Sequence, residues 1–168
     1  MKPSILVIDD EKVQSIVLRK AIEMAHPEYY VESAWEEVDM LAKIENIYYH
    51  IAVIDLQMDD FKETDGLVLI HKILKINPLA KIIIISSYLS AYDKQTAEIF
   101  QTGRIIAMVD KSMEDRAFNN TIINAINTEL EKQQNDSDII KQILTNAYAD
   151  AKNETNAQQK ASPSGPRS

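Results

Sequence analysis

Asp9 and Asp10 follow the apolar run Ile5-Leu6-Val7-Ile8, and Asp55 follows Ile51-Ala52-Val53-Ile54. Ser86 and Ser87 follow Ile82-Ile83-Ile84-Ile85, and Lys111 comes two residues after Ile105-Ile106-Ala107-Met108-Val109. Carboxylates crowded into one place raise one another's pKa unless a cation neutralises them. Hard oxygen ligands of this kind suit Mg²⁺, which keeps several waters and takes phosphate oxygens readily. A hydroxyl at Ser86 and a fixed cation at Lys111 both suit phosphoryl oxygens. Since an aspartate can carry an acyl phosphate, the set suggests phosphoryl transfer onto Asp55 as nucleophile.

That chemistry requires the runs to lie side by side. Each is short, β-branched and apolar on both faces, the pattern of a parallel strand covered by helices on both sides. Tyr29-Tyr30-Val31-Glu32-Ser33 is a more polar strand, expected at an edge. Between the runs, Val13, Ile16, Val17, Lys20, Ala21 and Met24 mark one helix; Trp35, Val38, Leu41, Ala42 and Ile44 mark a second. Leu67, Leu69, Ile70, Ile73 and Leu74 mark a third, which stops before Asn77-Pro78. A fourth spans about 91–101 and ends near Gly103, and a fifth starts near Met113 and uses Phe118, Ile122, Ile123 and Ile126. Five strands alternating with five helices imply an α/β three-layer sandwich with a parallel, right-handed sheet. In the strand order 2-1-3-4-5 the first and third runs are neighbours, and Asp9, Asp10 and Asp55 meet at the carboxyl end of the sheet.

Composition fits such a domain and removes several alternatives. A chain of 168 residues can bury about 70% of its unfolded surface, so a core is possible without staples. The absence of cysteine excludes disulfides, thiolate zinc sites and thiol catalysis. No apolar run exceeds five residues, against the roughly 20 of a membrane helix, and no secretory signal follows the start. A soluble, cytoplasmic protein is expected. The net charge of −8 lies wholly in residues 1–134, with 14 bases against 22 acids, because 135–168 carry four of each. An acidic body repels phosphate backbones, so direct nucleic-acid binding is disfavoured.

In these residues the chain resembles the receiver domain of two-component response regulators over roughly residues 3–130. The matching pieces are Ile5 to Glu11, Ile51 to Met58, Asp65-Gly66-Leu67, Ile85-Ser86-Ser87 and Val109-Asp110-Lys111. Each is weak alone, but the five stand in order, each near its strand end. The resemblance implies a flavodoxin-like fold and phosphorylation of Asp55 from a phosphohistidine on a histidine kinase or phosphotransfer protein. It implies Mg²⁺ held by Asp10, Asp55 and the main-chain carbonyl of Gln57, with Asp9 acting through water. Ser86 would be the switch hydroxyl and Lys111 the ion-pair partner of the phosphoryl group. It further implies a switch without substrate turnover, read by a protein target or a second copy through the fourth helix, fifth strand and fifth helix.

Four positions depart from the family pattern. Met108 stands where an aromatic ring is usual, and a flexible thioether specifies two discrete positions less well. Ser112 replaces a proline in a cis peptide; a non-proline cis bond costs about 2.5–4 kcal/mol, so a trans bond and a shifted loop are expected. Asp59 replaces a common proline, and the segment from Asp59 to Asp65 looks about three residues longer than usual, on the same resemblance. The acid set itself is whole.

Other readings compete. Asp9 and Asp10 could cap the first helix, though that leaves Asp55 unexplained. A Mg²⁺-dependent phosphatase with an aspartate nucleophile would need a second acid where Gln57 stands. A binding module read without phosphorylation is favoured by Met108 and Ser112 and opposed by the acid set.

Residues 1–130 thus form the expected receiver, and 131–151 a helical extension in which Ile139, Ile140, Ile143, Leu144 and Ala147 share one stripe, capped at Asp136 or Ser137. That stripe can fold back on the fifth helix or serve as a dimer or partner helix. Residues 152–168, rich in Asn, Gln, Ala and Ser, are expected to be disordered.

Overall fold

A computed structural model of the chain describes residues 2–58, 65–87 and 94–161. Its elements are β1 (Ser4–Ile8), α1 (Lys12–Ala25), β2 (Tyr30–Ala34), α2 (Glu37–Asn46), β3 (Ile51–Asp55), α3 (Gly66–Ile76), β4 (Lys81–Ser86), α4 (Lys94–Gln101), β5 (Ile105–Asp110) and α5 (Asp115–Ala161). The expectations placed on 59–64 and on the start of the fourth helix near residue 91 lie outside the described residues. The chain divides into two compact units, Met1–Asn127 and Thr128–Ser168.

In the first unit all five strands are parallel, in the expected order β2-β1-β3-β4-β5. β1 and β3 are buried along their whole length, and in β4 only Lys81 is not fully buried. Leu6, Ile8, Ala52, Ile54, Ile82 and Ile84 form one side of the core, against Met40 and Ile44 of α2 and Leu69, Ile70 and Ile73 of α3. β2 is an edge strand. The Lys43 ammonium donates to the Ser33 carbonyl over 2.8 Å, so a charged side chain occupies the strand that would otherwise invite further pairing.

β5 contains one surplus residue. Ile82 pairs with Ile105 but Ile83 pairs with Ala107, which leaves Ile106 as a bulge. Beyond it the register is regular, with Ser86 opposite Asp110. Met108 packs against the core, and among the described residues no peptide bond is cis. The turn at Ser112 is instead closed by the Asp110 carboxylate, which accepts from the Ser112 amide at 2.8 Å.

Two helices differ from the sequence expectation. α1 buries Ser15, Leu18 and Ile22, whereas Val13 is 73% and Met24 83% exposed. The apolar stripe expected there is the outer one. The inner face went unnoticed because it holds a serine, whose hydroxyl donates to the Ala34 carbonyl over 3.4 Å. α2 similarly buries Met40 and Ile44 while Val38 is exposed.

α5 is the second difference in kind. It continues without a break through Asp136 and Ser137, where a fresh helix start was expected, and through Lys152 to Ala161. No Gly or Pro occurs between Arg104 and Ser162, so nothing in the chain stops the helix. Among the described residues, no helix is long and apolar enough to cross a membrane.

Candidate functional site

Parallel strands deliver the residues after them to one end of the sheet, and here β1, β3, β4 and β5 do so together. Asp9, Asp10 and Asp55 each offer an oxygen, and these oxygens lie within 4.8 Å of one another. Asp9 and Asp55 are buried and Asp10 is half-buried. The Lys111 ammonium bridges two of them, donating to Asp55 Oδ2 at 2.7 Å and to Asp9 Oδ2 at 3.0 Å. Ser86 ends β4 fully buried, and its carbonyl accepts from the Lys111 amide at 3.0 Å.

The second oxygen of each buried aspartate is fixed by a backbone amide two residues on. Asp9 Oδ1 accepts from the Glu11 amide at 2.9 Å, and Asp55 Oδ1 from the Gln57 amide at 3.0 Å. Glu11, not an aspartate, is the N-cap of α1, and its side chain makes no capping bond. Asp9 is therefore turned into the mouth. Gln57 is exposed between buried Leu56 and Met58, which anchor the segment after β3 to the core.

Burial dominates the electrostatics. It pushes the Asp9 carboxyl up to about 6, against the opposing pull of Lys111. Asp55 is likewise raised by burial, with Lys111 and the Gln57 amide opposing. Burial alone would lower Lys111, but its bonds to Asp55 and Asp9 outweigh that, and it is held charged. Anionic oxygens gathered in a poorly solvated mouth, with one cation already present, fit a small hard divalent ion. All six residues singled out in the sequence thus fall on or beside one mouth.

Two residues named in the sequence analysis have a structural part that the sequence did not reveal. Gly66 is the first: a Cβ there would collide with the Asp55 carbonyl oxygen and lie 2.6 Å from Leu56 Cα. α3 can start against the backbone of Asp55 and Leu56 only because residue 66 has no side chain. Asp65 caps that helix, accepting from the Val68 amide at 2.9 Å. The second is Trp35, under the Lys12 ammonium at 5.0 Å. Its neighbour Ala34 accepts from the Asp9 amide, which ties the end of β2 to the residue that opens the mouth. Beside Lys111, Val13, Val17, Met113 and Phe118 line a cleft of about 270 Å³.

The chain matches the family described as the response regulator receiver domain over residues 5–123. Among solved structures it is similar to a CheY-like receiver domain protein from Methanospirillum hungatei JF-1, at 23% identity, TM-score 0.65, covering 81% of this chain and 99% of that one. A signal receiver domain of an HD domain-containing protein from Pseudomonas fluorescens Pf-5 is 18% identical, with TM-score 0.62 and coverage of 80% and 99%. A response regulator from Burkholderia pseudomallei, solved with a phosphorylated aspartic acid, a calcium ion and citrate, is 21% identical, with TM-score 0.58 and coverage of 78% and 73%. No curated protein sequence matches the chain. The structural likenesses carry the fold alone, but the family match takes in every residue of the acidic mouth. The chain belongs to the response regulator receiver domains.

Proposed function

We propose that this domain accepts a phosphoryl group on Asp55 from a phosphohistidine of a histidine kinase or phosphotransfer protein. The observation that supports this best is the double engagement of Lys111 by Asp9 and Asp55, in a mouth that also gathers Asp10. Asp10, Asp55 and the Gln57 carbonyl would hold Mg²⁺, with Asp9 acting through water. When bound, the ion neutralises the carboxylates and draws phosphoryl oxygens to them.

The chain's own residues do the rest. Asp55 Oδ1 is held by the Gln57 amide, which leaves Oδ2 to attack phosphorus. An O–P bond forms as the P–N bond of the donor breaks, and the imidazole nitrogen leaves with the electron pair. Lys111 then turns from the carboxylate to the phosphoryl oxygens, and Ser86 is the hydroxyl that follows them. Burial of Asp55 keeps bulk water from the acyl phosphate. The exposed apolar rim of Val13, Val17 and Met113 next to Lys111 gives the donor protein a surface to dock on.

The domain is a cytoplasmic switch without substrate turnover. Its output runs through protein contacts, either at α4, β5 and α5 or along the later part of α5. Incubation with Mg²⁺ and acetyl phosphate tests the reading. One added phosphoryl group by intact mass, absent in Asp55→Asn, is expected. No mass gain would leave a binding module, and turnover of a phosphate ester would instead mark a phosphatase.

A further inference from the structure

We infer that the helix of the second unit is an interface for a second copy of this chain, paired in parallel and in register. Within Thr128–Ser168 the described residues are all helical through Ala161, yet Ile140, Leu144 and Tyr148 are 57%, 64% and 77% exposed. Ile139 and Ile143 are exposed as well. A monomeric surface rarely leaves so many large apolar side chains uncovered on one helix.

The spacing defines a seam. Leu130, Ser137, Leu144 and Ala151 recur every seven residues, as do Gln133, Ile140 and Ala147 in the alternate position. Three heptads of this kind make a two-stranded seam in which the residues flanking it decide partner and direction. Asp136 and Ile143 flank one side, Lys141 and Tyr148 the other. In a parallel pair each flanking residue meets the one five places further on in its partner. Asp136 then meets Lys141 of the second copy, and Ile143 meets Tyr148. In an antiparallel pair centred on the same seam, Asp136 would face Asp150. Charge complementarity therefore selects a parallel second copy.

Lys141 is free to make that contact at small cost. Its present bond to Asp138 is 3.4 Å long with both side chains mostly exposed, a class of pair that contributes little. Polar Gln133 and Ser137 within the seam weaken it, so the pairing should depend on concentration over the micromolar range. This narrows the output contact proposed above to one occupant. It does not need phosphoryl chemistry, so it and the Asp55 reading can fail separately.

Light scattering coupled to size exclusion, on the full chain, is the test. The mass is expected to rise from one copy to two as concentration increases, and Leu144→Asp should hold it at one while far-UV circular dichroism and Asp55 phosphorylation stay unchanged. Lys141→Glu should weaken the dimer at least tenfold, and Asp136→Lys with Lys141→Glu should restore it. The chain has no cysteine, so Ala151→Cys supplies a single thiol that cross-links readily only in the parallel register. A monomer at every concentration, or a dimer indifferent to Leu144→Asp, overturns the interface. A dimer in which Ala151→Cys does not cross-link overturns its direction.

Discussion

Lys111 Nζ stands 2.7 Å from Asp55 Oδ2 and ties the end of β5 to the end of β3. Among the described residues it is the ammonium that bonds both Asp55 and Asp9, in a group of three carboxylates that the geometry crowds together. Replacing it by methionine removes a donor aimed at Asp55; if Asp55 takes the phosphoryl group as proposed, loss of such a preorganised donor costs on the order of 10²-fold in rate. Lys111→Met should therefore slow phosphorylation of Asp55 by acetyl phosphate by about that factor. It should also make the rise in Tm on adding Mg²⁺ larger than in the natural chain, because the ion then relieves more repulsion. Equal rates in the two proteins would show that Lys111 does not act on the phosphoryl group.

The Gly66 contact predicts a sharper structural effect. Gly66→Ala would drive a Cβ into the Asp55 carbonyl and Leu56 Cα, both backbone, so α3 or the end of β3 must shift. Overpacking of this kind typically costs about 1–3 kcal/mol. Urea unfolding should show that loss, accompanied by weaker Mg²⁺ binding because Asp55 moves. A variant as stable as the parent would mean the helix start yields freely.

Asp9 predicts a pH dependence. Its folded-state pKa is raised to about 6 from an ordinary 3.8, so the folded state favours the protonated form. Below about 4 both states are protonated and nothing is lost; between about 4 and 6 the fold loses stability, and above about 6 the loss is complete. Without Mg²⁺, Asp9→Asn should be more stable than the parent at pH 7.5, by about 1–3 kcal/mol, and level with it near pH 4. Destabilisation at pH 7.5 would contradict the assigned burial.

His50 carries the opposite sign. Burial lowers its pKa, and Nδ1 accepts from the Ser4 amide at 3.1 Å, which requires the neutral ring. The stability it contributes is present at neutral pH and lost as pH falls through the lowered pKa. His50→Gln should reduce the slope of unfolding free energy against pH as pH falls below the ordinary 6.5; an unchanged slope would show that the histidine does not contribute it.

Trp35 offers a direct readout. Lys12, whose ammonium lies over the indole, is two residues from Asp10, and the Ala34 carbonyl beside Trp35 receives the Asp9 amide, so charge changes in the mouth have a short route to the ring. Mg²⁺ titration should alter its fluorescence saturably, and Asp10→Asn should abolish the change. A flat titration, with binding seen by calorimetry, would place the indole outside the site's influence.

The strand order and the acid mouth were legible because β-branched runs apolar on both faces admit few arrangements, and each run ends on a residue that has no place in a core. The face of α1 was not legible: Val13, Val17 and Met24 look like a core stripe, while the true one includes Ser15. Hydrophobicity alone does not separate a core face from an exposed apolar rim. The unbroken α5 could have been read from the lack of Gly and Pro after Arg104, but the polar stretch around Asn135 suggested a stop. Gly66 needed coordinates, since what matters is which backbone passes within 3 Å of it. Met108 lies packed against the core, as an aliphatic residue in that run would.

The surplus Ile106 sits at the end of β5 farthest from Lys111, between the Ile105 and Ala107 pairings. It acts as slack in the strand. Small changes of chain length between α4 and β5 can be absorbed there, by forming or erasing the bulge, before they reach the lysine. Past Ala107 the strand has no such reserve, and the loss of one residue from 107–110 would drag Lys111 back about 3.3 Å, one strand step, away from both aspartates. Tolerance to insertion and deletion along β5 should therefore change abruptly at one position, with every reactive side chain still encoded on either side of it.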